Sequence, residues 1–241
     1  MIVPSGPLEQ AGPAQYDWLI HFCGRPLGRR MTPSVPDWIA KLKPRQRLDN
    51  ILWDQRLNGY PPFGVDTDLP MVCLSESPPE HLCWLLKDRH WPPWGLVFRR
   101  QHVYDLDGGP VWYARTKQYY TLDQEQRRWA VRLDTNSNSK SDWLQEREWR
   151  IPIPPGCQSL NLGVVTVAAI LIGTPDWQPS LRTVPTNTGY LVDGRTGVLT
   201  HSGNPYGQPQ VQHFPALPPL WQATPRVYWN STINRISSCG P

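Results

Sequence analysis

At 241 residues the chain is long enough for one large domain with its own core, and a net charge of +4 permits a nucleic-acid partner without demanding one. Its 28 prolines and 18 glycines, against 39% apolar residues, mean much loop. Five scattered cysteines with no CxxC pair fit a reducing cytoplasm better than a disulfide framework, and the best apolar run, 164–172, is far too short for a membrane span.

Residues 1–15, rich in Pro, Gly and Ala, read as a loose arm, and the N-terminus lacks a basic-then-apolar signal pattern. Residues 16–23 read as the first strand, with His21 near its end. A basic loop follows, with a short helix expected at 37–42. Between Arg25 and Arg47 lie Arg29, Arg30, Lys41, Lys43 and Arg45, against the single acid Asp37. A solvated basic face and a phosphate-binding face are equally good readings of that segment.

Leu48, Ile51 and Leu52 lie at helical spacing, and Asn58-Gly59 is expected to stop that helix. Pro61-Pro62-Phe63-Gly64 reads as a turn and 69–74 as a buried strand. Ser77-Pro78-Pro79-Glu80 predicts a helix start, with Ser77 as cap and Glu80 closing a capping box. Leu82, Leu85 and Leu86 supply that helix's apolar stripe. Strands are expected at 94–99 and 110–114, joined by a turn at Asp107-Gly108-Gly109. A helical pattern runs over 120–133. The β-branched run 164–172 reads as a strand buried on both faces. From Thr174 the pattern weakens, leaving hairpin pieces at 189–192 and 197–200. The sum is an α+β fold of many short strands with two to four helices. It divides into the arm 1–15, a main domain 16–173 and an irregular extension 174–241 packed on it.

The chemistry concentrates in Asp142-Trp-Leu-Gln-Glu-Arg-Glu-Trp-Arg-Ile-Pro152. A strand over 146–153 would put Glu146, Glu148 and Arg150 on one face and Arg147, Trp149 and Ile151 on the other. The polar run 134–141 leads into it. Two acids after such a loop suit an active site; with Arg147 and Arg150 beside them they also suit plain ion pairing. Cys73, His81, Cys83 and His90 match no zinc spacing, so no metal is assigned, and there is neither a Walker loop nor a GxGxxG fingerprint.

Taken in order, LIHFCG, ILWDQRLNGY, LPMVCLSESPPEHL, WGLVFRRQHVYDLDGGPVWYA, EREWRIP and VAAILIG resemble the AbiGi-like abortive-infection proteins of bacterial phage defence, from about Trp18 to Gly173. More distantly the layout is similar to DarT-type ADP-ribosyltransferases, toxins that modify DNA bases. The resemblance implies an ADP-ribosyltransferase-like core, NAD as substrate and a cytoplasmic protein working in toxin–antitoxin or phage defence. It implies Glu148 as the catalytic carboxylate, with Glu146 orienting or deprotonating the acceptor. His21, Phe22, Cys23, Arg25, Arg47 and Ser75 would bind NAD. Cys23 stands where a threonine or serine is usual. The arginine near NAD is open among Arg25, Arg45, Arg47 and Arg56. Trp112, Tyr113, Tyr119 and Tyr120, with Phe22, are candidates to stack on nicotinamide or on an acceptor base. The expected acceptor is a base of DNA or RNA, with a protein side chain or water as alternatives, and a cognate antitoxin or toxin is an expected partner. The rival reading is a non-enzymatic defence partner or nucleic-acid-binding protein with a degenerate transferase fold. The enzyme requires His21, Ser75 and Glu148 to meet in one concave pocket.

Overall fold

The structure, a computed structural model, describes residues 17–26, 33–136, 141–163, 166–186, 190–192, 199–201 and 212–239. The expected arm, Arg29 and Arg30, and part of the polar run 134–141 lie outside the described residues. Eight strands form one mixed sheet: β1 (Trp18–Phe22), β2 (Met71–Glu76), β3 (Gly95–Arg99), β4 (Gly109–Pro110), β5 (Glu148–Pro152), β6 (Ala169–Ile172), β7 (Arg226–Asn230) and β8 (Arg235–Ser238). Their order across the sheet is β8-β7-β6-β3-β1-β2-β5-β4. Neighbours run antiparallel except β6 and β7, which pair in parallel from Ile170↔Arg226 to Ile172↔Tyr228.

Alternation along the strands sorts apolar side chains into two layers. Leu19, Leu96, Phe98, Ile170 and Ile172 face the larger core, which Leu48 and Leu52 of helix α2 complete. Their neighbours Ile20, Val97 and Leu171 face a smaller cluster with Leu82 and Leu86 of helix α3. Helix α1 (Asp37–Ala40) precedes α2 (Pro44–Asp54), and α3 is Pro79–Lys87. Proline opens α2, where its missing N–H costs nothing, and the Lys43 N–H donates to Gln46 Oε1 at 2.8 Å. Trp221 and Leu220, from a short helix at Pro219–Ala223, also enter the larger core. The segment expected as an extension from 174 therefore supplies core side chains and two strands of the sheet. Among the described residues no helix is long and apolar enough to cross a membrane.

Several local expectations are corrected. Helix α2 ends at Asp54 rather than at Asn58, because Gln55 turns left-handed (φ 49°) and Arg56–Asn58 pairs with Ser159–Asn161. Ser77 does not cap α3; Pro78 stands at the cap, no side chain bonds there, and the Ser77 hydroxyl lies 2.9 Å from that of Ser75. No simple turn joins β3 to β4: helix α4 (Arg100–Asp105) lies between them. The pattern over 120–133 splits into a helical turn at Gln124–Arg127 and a strand, Ala130–Leu133, which pairs with Trp112–Arg115. The run 164–172 is a strand only over Ala169–Ile172; Val164 and Val165 lie outside the described residues. The hairpin pieces in the tail do pair, Tyr190–Val192 against Leu199–His201.

One close approach fixes β1. A Cβ on Gly95 would stand 2.4 Å from the His21 carbonyl oxygen, so only glycine lets β3 lie this near β1. Gly95→Ala is expected to lower stability by about 1–3 kcal/mol, read as an earlier midpoint in urea unfolding.

Candidate active site

The site opens where two strands part. β1 and β3 stay in register along their length, from Trp18↔Arg99 to Phe22↔Gly95. β1 and β2 register only at Leu19↔Glu76 and Ile20↔Ser75. Beyond that point β2 continues with β5 instead, down to Met71↔Pro152. His21, Phe22, Arg25, Ser75, Glu146 and Glu148 line a cavity of about 160 Å³ at this gap. The convergence demanded of His21, Ser75 and Glu148 is thus met geometrically.

Parting leaves the Cys73 carbonyl without a strand partner on that side, and His21 Nδ1 lies 3.0 Å from it. A carbonyl can only accept, so Nδ1 carries the proton. Burial pushes the imidazole below its ordinary value, against the pull of that carbonyl, so the ring is neutral and Nε2 is an acceptor.

Glu148 reaches the cavity from β5, and its partner is Arg150 two residues on. Arg150 Nε and Nη2 meet Glu148 Oε1 at 2.8 Å and Oε2 at 3.1 Å. The guanidinium, 1% exposed, also donates to the Arg128 and Ala130 carbonyls. Burial, the largest single influence, lowers its pKa, but the Glu148 and Cys73 charges and the hydrogen bonds to both together raise it. Glu148 and Arg150 thus meet as a carboxylate–guanidinium pair in two-point contact. Beyond the two Arg150 bonds and the Cys73 thiol, the carboxylate retains acceptor capacity for a ligand. Tyr113, expected as a stacking ring, donates to the Trp143 carbonyl at 3.1 Å; burial and then the Glu148 charge push its hydroxyl up to about 12. Burial and the same charge also raise the Cys73 thiol.

Glu146 reaches the cavity by another route than expected. It belongs to a 3-10 turn, Leu144–Glu146, and not to the strand, so it does not share a strand face with Glu148 and Arg150. Arg147 then turns left-handed (φ 44°). Glu76 holds this bend. Its carboxylate takes Arg100 at 2.8 Å, Arg147 at 3.3 Å and Trp149 Nε1 at 3.1 Å, and its backbone N–H donates to the Arg147 carbonyl. Ser75 serves the same junction: its hydroxyl donates to the Glu146 carbonyl at 2.7 Å, so it is a strut for the turn as well as a lining residue.

The arginines separate clearly. Arg47 spends its guanidinium on the carbonyls of Cys23, Ile39 and Ala40, at 3.1, 3.0 and 2.9 Å. Arg25 lies over the Phe63 ring at 5.0 Å and makes no hydrogen bond or ion pair among the described residues. It is the cation of the small cavity that is open to an anion. Cys23 is buried in the core, its thiol pushed up to about 12 by burial, and its polar reach is correspondingly small. Phe22 packs on Trp91 with centroids 4.9 Å apart while lining the cavity. Tyr119 is core, whereas Trp112 and Tyr120 are exposed; none of the three lines the cavity. Tyr60, Phe63, Trp91 and Trp143 do line it, and sequence reasoning missed them. Their only advance signal was sequence proximity, Trp143 to the two acids and Phe63 to the turn.

A second cavity of about 450 Å³ adjoins the first. The two share His21, Phe22, Asn58 and Tyr60. Set against known protein families, curated proteins and solved structures, the chain matches none.

Removing the Glu148 carboxylate strands a buried guanidinium. Glu148→Ala is expected to cost roughly 3–5 kcal/mol in urea unfolding, and Glu148→Gln, which keeps one acceptor oxygen, distinctly less. For His21, the unfolded chain binds the proton that the buried ring refuses, so its contribution is complete above the unfolded value of about 6.5 and is lost as pH falls below it. The wild type is therefore expected to lose more unfolding free energy between neutral and mildly acidic pH than His21→Gln does. His81, whose pKa burial also lowers, contributes the same sign in both proteins.

Proposed function

We propose that the protein is an NAD-dependent mono-ADP-ribosyltransferase whose acceptor is a base of single-stranded nucleic acid, working in bacterial toxin or phage defence. The observation that carries the reading is the meeting of an acceptor imidazole, two carboxylates and a guanidinium with no ion pair among the described residues at one parting of strands. NAD would supply a ribose–nicotinamide bond whose breaking builds positive charge on the ribose, as in glycoside hydrolysis. The Glu148 carboxylate, held in two-point contact by Arg150, would supply the negative charge that stabilises that state more than the ground state. His21 Nε2 accepts a ribose hydroxyl, and Arg25 takes a phosphate oxygen. Glu146, presented on the turn beside Glu148, is placed to accept the proton of the incoming nucleophile once that atom is within hydrogen-bond reach. A base is out of reach inside a duplex, which favours a single strand. The order of motifs, which resembles that of DarT-type and AbiGi-like proteins, supports the same reading.

One observation favours a second reading, a non-enzymatic partner on a related fold. The Glu148–Arg150 pair also ties β5 to the carbonyls of Arg128 and Ala130, which is sufficient structural work for both residues. Nicotinamide release from NAD separates the two. Release stimulated by single-stranded DNA or RNA is expected from the wild type, with at least a hundredfold loss in Glu148→Gln and in Glu146→Gln a loss of transfer that exceeds the loss of hydrolysis. Absence of both release and NAD binding would remove the transferase reading and leave the second.

A further inference from the structure

We infer that the larger cavity is a nucleobase pocket, with Trp38 as its stacking face and the exposed cations Lys41, Lys43 and Arg45 taking phosphates attached to the base. The inference rests on the preceding proposal only for its place beside a reacting ribose; the pocket itself stands on the following geometry.

The cavity is a built one. At about 450 Å³ it lies within the range of roughly 300–1,000 Å³ usual for small-molecule sites. Trp38 and Ile39 of α1 and Arg47, Asn50, Ile51 and Asp54 of α2 line one side of it. Arg47 welds these helices to the end of β1 through the carbonyls of Ile39, Ala40 and Cys23. Ile39, Leu42, Ile51 and Leu57 give it apolar walls, Asn58 and Tyr60 put polar edges where it meets the smaller cavity, and Asn50, Asp54 and Arg56 also line it. Trp38, at the rim, leaves 64% of its surface in water. A flat ring with hydrogen-bonding edges fits such a lining; a compact anion or a plain alkyl chain would leave the aromatic face or the polar edge unused.

The charge around it selects what the ring is attached to. Several basic side chains elsewhere are held by acids: Arg100 and Arg147 by Glu76, Arg150 by Glu148, Arg127 by Asp66 and Arg128 by Glu125. Lys41 and Lys43 flank Leu42 in the chain, and Arg45 lies two residues before Arg47. All three are exposed, and their side chains form no ion pair or hydrogen bond among the described residues. Cations without an acid partner beside an aromatic-lined cavity match a base carrying phosphate. Two sources supply that chemistry, the adenosine diphosphate half of a dinucleotide and a nucleotide of a single strand.

The test titrates the intact protein with ADP-ribose, by calorimetry, and with a short labelled oligothymidine, by fluorescence anisotropy. Wild type is compared with Trp38→Ala and with the double variant Lys41→Glu, Lys43→Glu; all three changes lie on exposed residues, and unfolding midpoints verify the fold. Trp38→Ala is expected to weaken one of the two ligands at least about fivefold, the low end for loss of one stacked base. The double variant is expected to weaken the same ligand and flatten its salt dependence. An effect on ADP-ribose assigns the pocket to the dinucleotide; an effect on the oligonucleotide assigns it to the strand. No binding of either, or binding of both unchanged in both variants, overturns the inference. Nicotinamide release measured on the same proteins keeps the two proposals apart, because a Trp38-dependent ligand without any release would sink the transferase and leave the pocket standing.

Discussion

The site depends on a pairing that stops early. Two antiparallel strands, β1 and β2, hold register at Leu19↔Glu76 and Ile20↔Ser75 and then separate, each keeping its other neighbour. A sheet that paired throughout would have no gap and would bury its backbone groups in ladder bonds. Here the separation exposes the Cys73 carbonyl, which His21 satisfies, and it opens the space into which Glu148 reaches. Neither strand can close the gap on its own. Gly95 draws β1 toward β3, and the ladder with β5 draws β2 the other way.

Charge inside the fold then fixes what enters that gap. Arg150 is buried among backbone carbonyls and a carboxylate, an arrangement in which removing either ion leaves the other stranded. Glu76 does the equivalent one strand over, gathering Arg100, Arg147 and the indole of Trp149. The left-handed bend at Arg147 lies between these two clusters. Its position sets the separation between Glu146 on the turn and Glu148 on the strand, so the ion pairs of Glu76 with Arg100 and Arg147, none of which lines the cavity, bear on the geometry of the two acids.

Much of this was legible beforehand, and the losses have specific causes. β1, β3 and the apolar stripe Leu82, Leu85 and Leu86 of α3 follow directly from hydrophobic period. His21, Arg25, Ser75, Glu146 and Glu148, singled out through the resemblance of the motif order to DarT-type transferases, line one cavity. The strand at Glu146 failed because alternation of side-chain type persists across a 3-10 turn, and nothing in the sequence marks a non-glycine residue, Arg147, as left-handed. The helix over 120–133 failed because Ala130–Leu133 finds a partner strand at Trp112–Arg115, and tertiary pairing overrode local preference. The charge of Arg47 was legible, but its role as a structural tie was not, since the carbonyls that take its donors belong to the end of β1 and to α1. Ser77 followed its cap signature on paper, yet Pro78 occupies the cap and the hydroxyl turns to Ser75.

The parallel pairing of β6 with β7 has a consequence in time. Ile170 must wait for Arg226 before that side of the sheet is covered, whereas β1 to β5, which carry the cavity, are all complete by Pro152. Closing so long a loop is entropically costly and slow compared with the antiparallel neighbours. During synthesis the site-bearing strands therefore leave the ribosome while the open edge of β6 still presents unpaired amides and carbonyls. An uncovered edge of that kind is a template for a second chain. The last strands thus protect a nascent chain from its own copies as much as they stabilise the finished one.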